Sequence, residues 1–251
     1  MPGWLEALGW GLLTGGALVV GAGLGYQLRV PRRLVASAMA FGAGTLLAAM
    51  AYELIADAHE RAGLLPTAVG AVTGALAYTG VNLLLARRGG RHRKRSGGQQ
   101  PSEQQQAGSG LAIAVGSLLD GVPESVVIGG SVLAGGPVST AAVAAIMISN
   151  VPEGLSSATG MRRAGRPARY VYGVWGAVAM ASGAAALIGY LLLGRAPEPV
   201  LAGITALAAG AILTMVSDTM IPEAFDQAHL LIGLVTVAGF LTAFGLSQLA
   251  G

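Results

Sequence analysis

The chain has 251 residues, of which 53% are hydrophobic and 11% charged, with 40 glycines, no cysteine and a formal net charge of +3. A soluble domain carries about 25% charged residues, so this composition excludes one and points to the membrane, where glycine permits close helix contact. Without cysteine, disulfide scaffolds and thiolate metal sites are excluded as well.

Taken in chain order, the apolar runs predict an all-α integral membrane fold with eight transmembrane helices. They lie at 8–28, 34–58, 66–86, 111–134, 137–160, 170–193, 199–222 and 229–249, and a bilayer core needs about 20 residues of helix. The first run is not read as a cleaved signal peptide. Met1 to Leu8 holds Glu6 and no Lys or Arg, and the positive charges Arg29, Arg32 and Arg33 follow the run, the reverse of a signal peptide's order. Between the third and fourth runs, residues 87–110 are basic and then rich in Gln, Ser and Gly. Such a segment cannot bury a core and is expected to be a disordered cytoplasmic loop. The chain therefore divides into helices 1–3 (residues 1–86), the loop (87–110) and helices 4–8 (111–251), the two helical parts forming one membrane domain.

Positive charges orient the bundle. With the N-terminus outside, 13 of the 15 Lys and Arg residues fall on the inner side, leaving Arg61 and Arg195 outside. Both termini are thus expected outside. With no targeting segment, the expected location is a plasma membrane of the bacterial inner-membrane type.

Helices 4 and 5 carry the chemistry. Helix 4 contains Asp120-Gly121-Val122-Pro123-Glu124-Ser125, and helix 5 contains Ser149-Asn150-Val151-Pro152-Glu153-Gly154. Asp120 and Glu124 share one helical face, as do Ser149 and Glu153. Each proline frees the carbonyl one turn earlier, near Leu119 and Ile148. Carboxylates at membrane depth are costly and normally face a cavity or bind something. Facing each other, Asp120, Glu124, Ser149, Asn150 and Glu153 offer an oxygen-rich cage for a divalent cation. None of the basic residues lies within helices 4 or 5 at that depth, so the glutamates would otherwise repel or hold protons. Glu53 and Asp57 at the outer end of helix 2, and Asp218 and Glu223 at the inner end of helix 7, are expected to mark the two mouths of a route.

A second internal similarity joins helices 2 and 7. Ala43-Gly44-Thr45-Leu46-Leu47 aligns with Ala209-Gly210-Ala211-Ile212-Leu213, and the same offset sets Asp57-Ala58 against Glu223-Ala224. In the eight-helix topology the matched helices run antiparallel, which predicts a 3+2+3 inverted repeat of the kind secondary transporters use.

The doubled Pro-Glu motif on consecutive helices resembles the ZIP family of divalent metal transporters. Phe41 to Leu47 in helix 2 and Asp218-Thr219-Met220-Ile221-Pro222-Glu223 in helix 7 extend the resemblance over essentially the whole chain. It implies movement of zinc, iron or manganese toward the cytosol and a metal centre between helices 4 and 5. The family typically reads His-Asn-x-Pro-Glu-Gly in helix 4, where this chain has Asp120, Gly121 and Ser125. It often begins the helix 5 motif with His or Gln, where this chain has Ser149, and often has a His-Glu pair near Asp218. No histidine lies in any predicted helix core. Carboxylate and carbonyl oxygens suit manganese, magnesium and calcium, whereas imidazole suits zinc, so weaker binding or a harder ion is expected. Gly121 also takes away a bridging ligand, which leaves one metal site or two as alternatives.

The leading expectation is a secondary transporter of divalent cations, with zinc, manganese, iron or cadmium as substrate and no resident cofactor. The alternative is a ZIP-like protein that does not transport, and binds metal for regulation or acts as a scaffold. An intramembrane hydrolase would need two aspartates poised together, and Asp57 and Asp218 stand at opposite faces, so no enzyme is expected. The partners expected are divalent metal ions and the lipid bilayer, with no nucleic acid; a homodimer stays open.

Overall fold

The computed structural model of the protein describes residues 2–133, 140–193, 196–228 and 231–250. The end of the fourth predicted run, the turn after it, Arg195 and His229 lie outside these. Eight long helices follow one another: α1 (Gly3–Gln27), α2 (Arg32–Ala62), α3 (Leu64–Ala86), α4 (Ser109–Leu133), α5 (Thr140–Arg163), α6 (Ala168–Leu193), α7 (Glu198–Met215, continued by Ile221–Ala228) and α8 (Ile232–Ala250). Among the described residues there is no strand. Seven of the eight are long and apolar enough to cross a membrane, which makes the chain a multi-pass membrane protein. The exception is α5, the carrier of Ser149, Asn150 and Glu153. Its polar residues are shielded by position, since residues 152–161 are all buried.

Local sequence sets the helix ends. Pro2, Pro31 and Pro197 stand at the helix starts, where a missing N–H costs nothing. Gly165 ends α5 at φ 76°. Its N–H donates to the Arg162 carbonyl, and the Arg166 N–H donates to the Met161 carbonyl, the paired bonds of a Schellman cap. Pro123 and Pro152 lie inside α4 and α5.

In the bundle, α1 lies against α5 and α6, α2 against α5 and α8, α3 against α7, and α4 against α6. One core joins Met39, Ala43 and Leu46 of α2 to Ile128, Ile146, Ile212 and Met215. Another joins Leu18 to Ile113, Met161 and Trp175. Leu65, Leu76 and Leu84 of α3 and Leu234 and Leu241 of α8 face outward, an apolar exterior suited to lipid tails. Arg162 donates to the Tyr26 and Leu28 carbonyls, so α1 and α5 finish at one end of the bundle. Arg61 lies 3.6 Å from Glu198, so α2 finishes where α7 begins.

Helices α2 and α7 share two irregularities. Each contains a π-helical turn, Met50–Ile55 in α2 and Val216–Met220 in α7. The turns begin at the same sequence separation as Gly44 from Gly210 and Asp57 from Glu223. Such turns are rare and favour functional positions. The glycine contacts correspond too. A Cβ on Gly44 would stand 2.0 Å from the Thr236 carbonyl oxygen of α8, and one on Gly210 would stand 1.9 Å from the Ala71 carbonyl oxygen of α3.

Replacing Gly44 by Val is expected to lower the midpoint of thermal unfolding in detergent, at an overpacking cost of about 1–3 kcal/mol. Gly16→Ala, where a Cβ meets nothing within 4 Å, is the control and leaves the midpoint in place.

Candidate cation site

Residues 87–108 are not the disordered loop that composition suggests. Gly90–His92 forms a short 3-10 turn, and the chain beyond it folds into the bundle, where Arg93 is 1% and Lys94 4% exposed. The reason lies in α5. Gly160 admits the Arg95 carbonyl to a point where a Cβ would stand 2.1 Å away. One turn earlier the Ser156 hydroxyl donates to the Lys94 carbonyl at 2.7 Å, and near the end of α5 Arg163 donates to the Ser96 carbonyl at 2.6 Å. Gln100 donates to the carbonyls of Arg93 at 2.8 Å and Ser157 at 3.0 Å. Polar backbone that could not stay unpaired in lipid is thus satisfied by polar groups of α5. Arg166 holds the far side, donating to the Pro101 carbonyl and the Ser109 hydroxyl.

This strap carries its cations to the carboxylates. Arg93 donates through Nε to Asp120 Oδ2 and through Nη2 to Asp120 Oδ1, both at 2.8 Å. Its Nη1 donates to Asn82 Oδ1 at 2.8 Å, and the Tyr78 hydroxyl donates to Asp120 Oδ1 at 2.7 Å. Gly116 makes room for the stem, since a Cβ there would stand 2.4 Å from Arg93 Cδ. Burial works against the Arg93 charge, but Asp120 more than offsets it and holds the guanidinium above its ordinary pKa. Lys94 Nζ lies 2.8 Å from Glu153 Oε1 and 3.4 Å from Asp120 Oδ2.

The structure treats the sequence candidates differently. Asp120, Glu124 and Glu153 are buried, at 3%, 2% and 3% exposure, and Lys94 lies between two of them. Asp120, expected as a ligand, is instead saturated by Arg93 and Tyr78. Ser149 and Asn150 also depart from the expected cage: Ser149 donates to the Ile146 carbonyl and Asn150 to the Thr14 carbonyl of α1. Glu223, expected at an inner mouth, is fully buried. It accepts from the Ser96 N–H at 2.8 Å and from the hydroxyls of Ser96 and Ser156, with Arg95 at 3.6 Å. Glu53 accepts from Ser247, Asp57 pairs with Arg61 at 2.8 Å, and Asp218 is exposed. Among the described residues no three His, Asp or Glu side chains stand close enough together to enclose a metal ion.

Glu124 Oε1 is buried with no hydrogen-bond donor, and Glu223 Oε2 has only the Arg95 guanidinium, 3.6 Å away. Glu153 Oε1 is held by the Lys94 ammonium at 2.8 Å. Glu124 also lines an apolar cleft with Leu46, Met50 and Leu54 of α2, Ala142 and Ile146 of α5 and Ile212 of α7. The cleft lies near the start of α5, in the half of the bundle away from the strap. Tyr78, Asn82, Arg93 and Lys94 had no place in the sequence-derived site. The signals were available: Tyr78 and Asn82 are polar residues one turn apart in an apolar helix, and Lys94 is the only lysine in the chain. Compared with models of known protein families and with curated proteins, the chain matches none.

Arg93→Ala is expected to destabilise the fold by roughly 3–5 kcal/mol, because it strands a buried aspartate. The double variant with Asp120→Leu recovers most of the loss, as denaturation in detergent would show. The strap also has a pH-sensitive anchor. Glu103 accepts from the backbone N–H groups of Gly110 and Gly108 and pairs with Arg166, which holds its carboxyl below the ordinary value of 4.5. Its contribution is complete above that value and disappears as pH falls through the lower folded one. The protection factors of the amides in residues 103–110 are therefore expected to fall as pH drops below about 4.5, and Glu103→Gln to remove the dependence.

Proposed function

We propose that the chain is a ZIP-like secondary transporter that moves divalent transition-metal cations, of the zinc, iron or manganese class, toward the cytosol through Glu124 and Glu153. The observation that carries this reading is a buried carboxyl oxygen without a donor at Glu124, followed by Glu153 on the Lys94 ammonium and Glu223 on the strap beyond it. Buried polar atoms are nearly always satisfied, and acids inside a membrane bundle mark ion pathways. The three follow one another from the apolar cleft, past Lys94, to the strap. Glu124 faces the cleft, Glu153 pairs with Lys94, and Glu223 shares Ser156 with the strap.

The architecture supports the same reading. The matched π turns and the exchanged glycine contacts of α2 and α7 are what a 3+2+3 inverted repeat would produce, and such repeats alternate access around a central site. The distribution of positive charge favours both termini outside a plasma membrane, which would put the strap on the cytosolic side. Oxygen ligands suit a hard cation such as manganese and offer no imidazole to select zinc.

One observation favours the second reading, a ZIP-like protein that binds metal or serves as a scaffold without transport. Asp120 is fully neutralised by Arg93, and Lys94 already partners Glu153, so the site is charge-paired without cargo.

Uptake into proteoliposomes, compared among zinc, manganese, iron and cadmium, separates the two. Saturable uptake that falls to background in the Glu124→Ala, Glu153→Ala double variant is expected, and the preferred ion reports whether the missing histidines change selectivity. Folded protein that takes up no ion above the double variant would leave the non-transporting reading in its place.

A further inference from the structure

We propose that Lys94 is a tethered cation seated where cargo binds, and that a divalent ion must displace its ammonium to engage Glu124 and Glu153. The proposal rests on the reading of these glutamates as a cation seat, and adds a competitor built into the chain that sets the seat's apparent affinity.

The two strap cations are held in different ways. All three guanidinium nitrogens of Arg93 donate hydrogen bonds, to Asp120, Asn82, Tyr78 and the Gly90 carbonyl. Lys94 Nζ is buried with one carboxylate oxygen at 2.8 Å, on Glu153, and a second at 3.4 Å, on Asp120. Arg93 is therefore locked in place by a full set of donors, whereas Lys94 is held by one close contact. Its backbone is pinned by Ser156, and its neighbours by Gln100 and Arg163. The four-carbon stem can swing out while the strap stays docked.

Charge balances through the exchange. Arg93 cancels Asp120 and Lys94 cancels Glu153, and a buried Glu124 with no cation beside it holds its proton. A divalent cation between the glutamates balances both carboxylates once the Lys94 ammonium swings out and the Glu124 proton leaves. Residue choice agrees. The chain uses arginine at 14 of its 15 basic positions and lysine only here. A guanidinium is a planar fork that clamps carboxylates in fixed geometry, whereas an ammonium is a compact point charge on a flexible stem. Of the two, the ammonium is the one that can stand in for a metal ion and leave.

The test uses the full chain in detergent with cadmium as the probe. A single lysine means that protein labelled with ¹³C at the lysine ε-carbon gives one side-chain signal. Cadmium is expected to move that signal to the position of a solvated lysine, saturating together with binding. Lys94→Met, of similar length and uncharged, is expected to bind cadmium about tenfold more tightly or better, since apparent affinity scales with the fraction of empty seats. Lys94→Arg is expected to bind more weakly than the native chain. Cadmium binding that needs Glu124 and Glu153 yet leaves the lysine signal in place, with the Met variant at native affinity, would overturn the displacement and spare the carboxylate seat. Absence of binding in the native chain and in folded Lys94→Met alike would refute the seat itself, and the displacement with it.

Discussion

Carboxylates buried inside a lipid-facing bundle must be neutralised, and the rest of this structure follows from how that is done. Asp120, Glu124, Glu153 and Glu223 are each at most 3% exposed. An isolated ion in such surroundings carries a desolvation cost of several kcal/mol even after relaxation. The helices that hold the four acids supply no cation at that depth. The charge comes from a polar segment between α3 and α4, which brings Arg93 to Asp120, Lys94 to Glu153 and Arg95 to Glu223. Three consecutive residues thus answer acids on three different helices.

That solution shapes the neighbouring elements. A polar backbone can enter the bundle only where other groups satisfy it, so α5 presents Ser156, Ser157, Gly160 and Arg163 along the strap. Glycine appears where backbone or stem must pass closely, at Gly160 for the Arg95 carbonyl and at Gly116 for Arg93. The polarity that keeps α5 from resembling a lipid-facing span has the same origin. The acids are also left unequal: Asp120 is held by Arg93 and Tyr78, Glu153 by Lys94 alone, and Glu124 Oε1 by no donor.

Much of this was legible in the sequence. Eight apolar runs were placed within a few residues of the observed helices, because length and hydrophobicity dominate folding in lipid. The Pro-Glu motifs on helices 4 and 5 single out Glu124 and Glu153, both buried in the bundle, and the offset between Gly44 and Gly210 recurs between the two π turns. The strap was not legible. Residues 87–110 have the composition of disorder, and their order comes from contacts with α5 and α7 that local propensity does not encode. For the same reason Asp120 was read as a ligand: its partner is distant along the fold and polar enough to be assigned to water. The hydrogen bonds of Ser149 and Asn150 to the Ile146 and Thr14 carbonyls were not legible, because helical spacing gives the face of a residue but not the bond its side chain makes. Several membrane-buried acids require a balancing charge, and the lone lysine in an arginine-rich chain is the signal for it in the sequence.

The central claim is that Glu124 and Glu153 form a seat for a divalent cation. Its most direct test is a structure of the full chain solved with cadmium, with the metal located by anomalous scattering. The account predicts one strong peak between the two glutamates, Lys94 withdrawn from it and Arg93 still on Asp120. A cadmium-saturated crystal with no peak there, or with peaks confined to surface carboxylates such as Asp57 and Asp218 while Lys94 remains on Glu153, would contradict it.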